Sequence, residues 1–509
     1  MTPRSRICQP QEHFAIDRRT FLQVGSVSLL GTGLTDLLRL ESQAAASTRS
    51  GRIKSLVFIF QSGGPSQHET FDPKPDAPEG IRGEYGVTQT QVPGIYFCEH
   101  LPKLAQRAKR FAVVRTMHHI AGREFRNEHQ SGSYLLHTGS TEMPVNGFDW
   151  PSIGSLIEYA KPTAPDVGMP AVVELPRTSH MRYWGRGPGI LGPRYARWGV
   201  DLAPTCRAPD PAGSCPNCFS HDDPNEPARA PGTSPTAWWN NSSCRVPDYR
   251  LPDLGGVNIS WSQIRDRAAL LDALTSREAR LDQSERNGSL KSWDACRHQA
   301  MQLLAATRPG GRENPFDLTR EPDHIRDLYG REEWGQGFLV ARRLVEAGVR
   351  MVQVNLRGWD THQNAFRDLK GKLLPSLDRS LSGFLDDLEQ RGLLDETLIV
   401  MCGEMGRTPR ISPIAAGGKN ASGEVFSPGR HHWGDVFPCF FAGGGIQAGQ
   451  VIGQTDRQGG VPVGEAYTPA DLAATIFHLL GIGPDSEFHD VLGRPYRMAR
   501  GAPIRPLLA

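Results

Sequence analysis

Three short apolar runs of the chain are each followed at once by a polar loop that contains glycine. The runs are Leu56–Phe60, Met351–Leu356 and Thr397–Cys402. A stretch with helical spacing precedes each of the last two runs, at Glu332–Ala347 and at Leu369–Gln390. A strand that is apolar on both sides is typical of a parallel sheet between two layers of helices. The sequence therefore predicts an α/β fold with a mostly parallel sheet and helices on both faces.

The same patterns predict further elements of this core. They are strands at Phe111–Val114 and Val436–Phe441, a helix near Gln130–Leu136 and a closing helix from Thr468 to Leu480. Thr468 followed by Pro469 is typical of a helix start, because threonine caps backbone N–H groups and proline has none to satisfy. The core is expected in two parts, residues 52–200 and 331–500.

Composition changes between the two parts of the core. Residues 201–250 are dense in Pro, Ser, Asn and Cys and are predicted to form an insertion outside the core, whereas residues 251–330 have helical spacing with mixed charge and are predicted to cover it. Four cysteines fall together in the insertion: Cys206, Cys215, Cys218 and Cys244. This set can bind a structural zinc ion or form two disulfides, and the spacing leaves both open.

The N-terminus has the layout of an export signal. The pair Arg18-Arg19 is followed by Phe21-Leu22, the apolar run Val24–Leu34 and the small residues Ala44–Ala46. Residues 1–46 are therefore predicted to be a twin-arginine-type signal peptide, and the mature protein is expected in the periplasm or outside the cell. No later run of about 18–20 apolar residues is present, so no stable membrane span is expected in the mature chain.

Polar side chains follow the predicted strands at the positions where parallel sheets form their sites. Asp360 and His362 come directly after the second apolar run, and Glu404 and Arg407 come after the third. A further cluster that contains His432 lies just ahead of the strand predicted at Val436–Phe441. Because it stands at the start of a strand, it reaches the same edge of the sheet only if its loop folds back. We expect these clusters to meet at one edge of the sheet.

Asp360, His362, His432 and Glu404 offer carboxylate and imidazole ligands in the mixture that suits zinc, manganese or iron(II) rather than calcium. A bound divalent ion would polarise a phosphoryl or sulfuryl oxygen or activate a water. In the alternative interpretation, Asp360 and His362 cap a helix and pair with each other. Both interpretations are compatible with the spacing.

Two more residues are candidates for catalytic roles beside Glu404, which can also act as a general base. Arg407 can orient an anionic oxygen through two parallel N–H groups, or it can form a salt bridge with Glu404 or Asp435. His129 lies at the start of a predicted helix, where the helix dipole favours anions, and can serve as a ligand, a proton donor or a nucleophile.

Several motifs of the chain are specific in combination. They are Gly63-Gly64-Pro65-Ser66 with Thr70–Pro75, Trp359–His362, Gly403–Pro409, Gly429–Trp433, Phe441–Ile446 and the ending from Thr468 to Ile482. Together they resemble domain-of-unknown-function family 1501 (DUF1501), a group of exported bacterial proteins distantly related to alkaline phosphatases and sulfatases. The resemblance covers roughly residues 52–500 and implies an alkaline-phosphatase-like fold.

The resemblance also implies roles for individual residues. Working members of the superfamily hold one or two metals with Asp and His residues and attack with a Ser, a Thr or a modified Cys. Asp360, His362 and His432 match the first-metal set, whereas the Glu404-Met405 pair stands where relatives have Asp-His. His129 falls at the nucleophile's position, and the sulfatase motif Cys-x-Pro-x-Arg is absent from the sequence.

Two functions remain as hypotheses. The first is an exported hydrolase that uses zinc or manganese to cleave a phosphate or sulfate ester. The second is a non-catalytic protein that binds an anionic glycan or a partner protein. The charge balance, 57 Lys and Arg against 55 Asp and Glu, argues against a nucleic-acid-binding protein, and an anionic small molecule or glycan is the expected partner.

Overall fold

The computed structural model describes residues 53–119, 127–144, 148–162, 169–176, 185–200, 314–412 and 427–509, together with isolated helical residues between 262 and 301. The predicted signal peptide at 1–46 and the Cys-rich insertion at 201–250 lie outside the described residues, as does most of the predicted cover at 251–330. The division of the chain into these segments therefore stays a prediction. Of the described helices, none has both the length and the apolar character needed to cross a membrane.

Strands of the described residues are numbered in chain order. They are β1 (Ser55–Gln61), β2 (Val87–Gln89), β3 (Tyr96–Cys98), β4 (Phe111–Met117), β5 (Val172–Leu175), β6 (Trp198–Gly199), β7 (Met351–Leu356), β8 (Thr397–Cys402), β9 (Gly406–Arg407), β10 (His432–Trp433), β11 (Phe437–Gly443), β12 (Gln450–Ile452), β13 (Gln454–Thr455), β14 (Pro462–Val463), β15 (Glu487–His489) and β16 (Pro495–Arg497).

Helices are numbered in the same way. They are α1 (Pro102–Ala105), α2 (His129–Thr138), α3 (Ile153–Ala160), α4 (Asp323–Tyr329), α5 (Glu333–Glu346), α6 (Ala365–Asp368), α7 (Leu374–Gln390) and α8 (Pro469–Leu479), and single turns of 3₁₀ helix lie at Ala108–Arg110, Gly189–Leu191, Pro193–Tyr195, Leu318–Arg320, Leu394–Glu396 and Arg505–Leu507.

Eight strands form one sheet in the order β12-β4-β11-β8-β1-β7-β5-β6. Every neighbouring pair is parallel except the two pairs made by β11, which runs antiparallel to both β4 and β8. The predicted mostly parallel sheet is confirmed. Because β11 runs in the opposite direction, its first residue lies at the edge where the parallel strands end.

Helices cover both faces of this sheet. Side chains alternate along β1, so Val57 and Ile59 pack against α5 and α7 on one face, and Phe58 and Phe60 pack against α2, α3 and α8 on the other. All of these side chains are buried, as a strand between two helical layers requires. The predicted arrangement with helices on both faces of the sheet is therefore confirmed.

Two predicted helices show how local chemistry sets helix boundaries. Thr468 caps α8 and forms a capping box with Asp471, as the sequence predicted for the cap. The long helix predicted at Leu369–Gln390 is instead interrupted by a π-helical turn at Leu369–Leu373 before α7 begins. Pro375, at the start of α7, has no N–H for the carbonyl four residues earlier, which explains why the regular pattern breaks there.

A buried ion pair fixes the loops at the carboxyl edge. The Arg430 guanidinium contacts both carboxylate oxygens of Glu69, with Nη2 at 2.7 Å from Oε1 and Nε at 3.0 Å from Oε2. Ser66 donates to the same carboxylate, and Arg430 also donates to the carbonyl of Ile81. Burial acts to raise the pKa of Glu69, but the nearby Arg430 outweighs it and holds the pKa below its ordinary value of 4.5.

The substitution Glu69→Gln should lower the free energy of unfolding by about 3–5 kcal/mol, because it leaves the buried Arg430 without its counter-charge. Because the pKa of Glu69 is lower in the folded than in the unfolded state, its ionised carboxylate stabilises the fold. The loss of unfolding free energy relative to wild type should therefore be complete above about pH 4.5 and should shrink as the pH falls through the folded-state pKa. Urea unfolding at several pH values measures this difference. Glu389→Gln, in an exposed pair with Arg110, is the control and should change little.

Candidate metal centre

The predicted polar clusters meet at one edge of the sheet. Asp360 and His362 follow β7, Glu404 follows β8, and the Gly-rich loop that begins at Ser62 follows β1. His432 lies just ahead of β11 and reaches the same edge without any fold-back, because this strand is antiparallel to its neighbours. The prediction that these loops converge is confirmed, and the direction of one strand explains how.

Asp360 lies at the middle of a ring of imidazoles. Its Oδ1 is 3.0 Å from His362 Nε2 and 3.1 Å from His432 Nε2, and its Oδ2 is 3.2 Å from His129 Nε2. One ligand atom each from His129, Asp360 and His432 lie within 4.8 Å of one another. The side chain of Asp360 is 45% exposed, so the ring opens to solvent on its side.

The other ring nitrogen of His432 is held by the backbone. Nδ1 is 2.7 Å from the carbonyl oxygen of Asn127, and because a carbonyl only accepts, Nδ1 carries the hydrogen. Nε2 is then the ring nitrogen that faces Asp360. Asn127 is itself anchored, since its side-chain oxygen accepts a hydrogen bond of 2.7 Å from the N–H of Gly434.

Glu404 holds His129 in the equivalent way. Its Oε1 is 2.7 Å from His129 Nδ1, and both carboxylate oxygens accept from the N–H of Gly63 at 2.8 and 3.1 Å. Burial acts to lower the pKa of His129, but the hydrogen bonds with Asp360 and Glu404 outweigh it and raise the pKa to about 9. Burial acts to raise the pKa of Asp360, but hydrogen bonds from the ring of histidines hold that pKa well below its usual range.

These residues fit a divalent metal ion. Metal-binding histidines almost always direct their second ring nitrogen to a carboxylate or a backbone carbonyl, and His129 and His432 do so through Glu404 and Asn127. Two imidazole nitrogens and one carboxylate oxygen are a typical three-residue set for a catalytic zinc ion. His362 offers a further nitrogen, since its Nε2 lies 2.8 Å from that of His432.

His431 extends the ring and was missed as a site residue, although it stands beside His432 in the sequence. Its Nδ1 is 3.0 Å from Nδ1 of His362, and its Nε2 is 2.9 Å from the Ser412 hydroxyl. Partial burial and the nearby charges of His362 and His432 lower its pKa. His431 is exposed, so it lies on the rim of the ring rather than inside it.

Glu404 and Arg407 occupy positions that differ from those predicted for them. Glu404 has no exposed surface and lies behind His129, where it orients that ring instead of facing Asp360 directly. Arg407 is also fully buried, and its Nη2 contacts Asp360 Oδ1 at 2.5 Å while its other donors contact backbone carbonyls. A guanidinium with these partners holds the loops together, which differs from the predicted contact with an anionic substrate.

The topology and the ring define an α/β protein with a candidate metal centre at the carboxyl edge of its sheet. A family model described as a protein of unknown function (DUF1501) matches residues 53–508, and the chain belongs to this family. The resemblance drawn from the sequence motifs is thereby confirmed. No curated protein matches the chain significantly.

Solved structures that match at low similarity include two alkaline phosphatases and a sulfatase. A mutant of alkaline phosphatase PafA has 12% identity, with 90% of this chain and 99% of that chain covered and a TM-score of 0.38. A magnesium-bound mutant of TAB5 alkaline phosphatase has 8% identity, 84% and 98% coverage and a TM-score of 0.36. The PsFucS1 sulfatase from Pseudoalteromonas sp. has 12% identity, 87% and 72% coverage and a TM-score of 0.32.

In metal-free protein, Glu404→Gln should lower the pKa of His129 from about 9 toward its ordinary value of 6.5, because one of the two carboxylates that raise it becomes neutral. NMR titration of the His129 ring measures this change. Glu128→Gln removes an exposed carboxylate that precedes His129 in the sequence, and should leave the pKa of His129 nearly unchanged. Equal shifts in the two variants would contradict the assigned contact.

Proposed function

We propose that this protein is a metal-dependent hydrolase of phosphate or sulfate esters, with one ion held by His129, Asp360 and His432 and with His362 as a further ligand. The observation that carries the proposal is the pairing of Nδ1 in both His129 and His432 with a fixed acceptor. That pairing leaves each Nε2 facing Asp360, as metal ligation requires. Zinc or manganese suits this set of ligands.

A divalent ion in such a site would polarise an ester oxygen or lower the pKa of a bound water. The residues of the chain prepare the site for that chemistry. Glu404 fixes the ring of His129, and Arg407 fixes the carboxylate of Asp360, both from fully buried positions that need no rearrangement when substrate binds. The half-exposed side of Asp360 is the side from which a substrate approaches.

The charge of the site favours an anionic ester. With neutral histidines, the carboxylates of Asp360 and Glu404 are outweighed by Arg407 together with a divalent ion. A site with excess positive charge attracts anions and orients their oxygens. His431, on the rim, is placed to contact such an oxygen. If the predicted twin-arginine signal acts as expected, this reaction takes place outside the cytoplasm.

One observation favours a second candidate function. Among the described residues, the side chains that contact Asp360 are His129, His362, Arg407 and His432, and none carries the hydroxyl or thiol of a covalent nucleophile. A hydrolase with this site would use water as the nucleophile. A non-catalytic protein that binds an anionic glycan or a partner protein through the same ion would need no nucleophile at all.

Purified mature protein should contain close to one equivalent of zinc or manganese per chain, measured by elemental mass spectrometry after incubation with each ion. His432→Ala should lose this metal, because a ligand and the link to Asn127 are both removed. His324→Ala changes an exposed histidine of α4 and should keep full metal content. Metal-free wild type, or equal metal in His432→Ala, would contradict the assignment.

Metal-loaded protein should hydrolyse 4-nitrophenyl phosphate or 4-nitrophenyl sulfate, and Asp360→Ala should abolish the activity because it removes the central carboxylate. Release of 4-nitrophenol measures the rate, with His324→Ala as the active control. Stoichiometric metal without turnover of either ester, combined with retention of a sulfated or phosphorylated glycan, would replace the hydrolase with the binding function.

A further inference from the structure

Asn364 has a left-handed backbone conformation that residues other than glycine seldom adopt, although asparagine adopts it more readily than most. It lies two residues after His362, and its φ of 53° and ψ of 23° place it in the left-handed region. Apart from glycines, no other residue in the described part of the chain has a positive φ. For a residue with a Cβ, this conformation persists only where surrounding contacts hold it, and such residues cluster at functional sites.

The N–H and the side chain of Asn364 both contact one segment. Its N–H donates to the carbonyl of Ser427 at 2.8 Å, and its Oδ1 accepts from the N–H and the hydroxyl of Ser427 at 2.9 and 3.2 Å. The next residue, Ala365, donates its N–H to the carbonyl of Pro428 at 3.2 Å. Asn364 and Ser427 therefore exchange three hydrogen bonds, which clamp two loops together.

This clamp begins a continuous contact that ends at the ring of histidines. A Cβ on Gly429 would lie 2.4 Å from the backbone of His362, so the two loops touch there without room for a side chain. Arg430 then donates its N–H to the carbonyl of Thr361 at 3.3 Å. Two residues further, His432 Nε2 reaches to 2.8 Å from His362 Nε2.

We propose that Asn364 is a positioning residue that sets the spacing between the imidazoles of His362 and His432. The inference rests on the proposed metal site. The amide oxygen of Asn364 is the side-chain acceptor that fixes the start of the His432 loop at Ser427, whereas the contacts of Gly429 and of the Arg430 N–H with the His362 loop are made by backbone. Residues that orient metal ligands from behind typically change metal affinity about 10- to 100-fold when removed.

Three substitutions separate the side chain from the backbone. Asn364→Gly keeps the left-handed backbone without strain but loses the side-chain acceptor. Asn364→Ala loses the acceptor and also strains the left-handed backbone, whereas Asn364→Asp keeps an acceptor oxygen and tolerates the conformation. The Zn²⁺ dissociation constant should rise about 10- to 100-fold in the glycine and alanine variants and stay close to wild type in the aspartate variant. Competition with a chromophoric chelator measures it.

The visible absorption spectrum of Co²⁺-loaded protein gives a second readout, because it reports the geometry around the ion. Asn364→Gly should change this spectrum, and Asn364→Asp should restore it. Asn314→Ala, which removes an acceptor for the N–H of Phe316, is the control and should match wild type in affinity and spectrum.

The outcomes separate this inference from the proposed function. Wild type that binds neither Zn²⁺ nor Co²⁺ overturns both. Wild type that binds, with an unchanged dissociation constant and spectrum in Asn364→Gly, overturns the positioning role alone, even if the melting temperature of the metal-free variant falls. A weakened glycine variant that the aspartate variant rescues supports the role of the amide oxygen.

Discussion

The guanidinium of Arg407 has no exposed surface, and a buried cation is tolerated only where acceptors surround its N–H groups. Those acceptors come from three loops. They are the carbonyls of Gly63 and Gly64 after β1, the carbonyl of Trp359 and the carboxylate of Asp360 after β7, and the carbonyl of Arg430 ahead of β11. Moving any one loop away would leave a buried donor without a partner. The shape of the carboxyl edge, and with it the ring around Asp360, depends on this one side chain.

Convergence on Arg407 brings the loop backbones so close that side chains are excluded at the contacts. A Cβ on Gly63 would lie 2.2 Å from the backbone nitrogen of Asp360, and Gly63 has a φ of 111° that favours glycine in any case. Gly429 is packed in the same way against His362. Glycine at these two positions is therefore a requirement of the site, and it gives the loops a single packed arrangement that orients Asp360 before any ligand binds.

Sequence patterns were sufficient for the strands of the core and for the ligands that follow them. β7 and β8 were predicted with their observed ends, because an apolar run bounded by glycine and polar residues marks a buried strand, and the rule that sites form at strand ends then selects Asp360 and His362. Strand direction has no local signature, so the sequence could not show that His432 arrives at the same edge on an antiparallel strand. The sequence could not predict the burial of Arg407 for a similar reason, because that burial depends on carbonyls more than 300 residues away in the chain.

The contacts of the Glu404 carboxylate limit how many ions the site can hold. Both of its oxygens accept hydrogen bonds from the N–H of Gly63, Oε1 also contacts Nδ1 of His129, and the side chain has no exposed surface. A carboxylate used in this way sets the orientation and basicity of one histidine ligand and is not available as a ligand of a second ion. The grouping of His129, Asp360 and His432 is the one metal-compatible cluster among the described residues. The described residues thus support a single ion, and because none of the side chains that contact Asp360 among them carries a hydroxyl or a thiol, the proposed hydrolysis would use water to attack the ester.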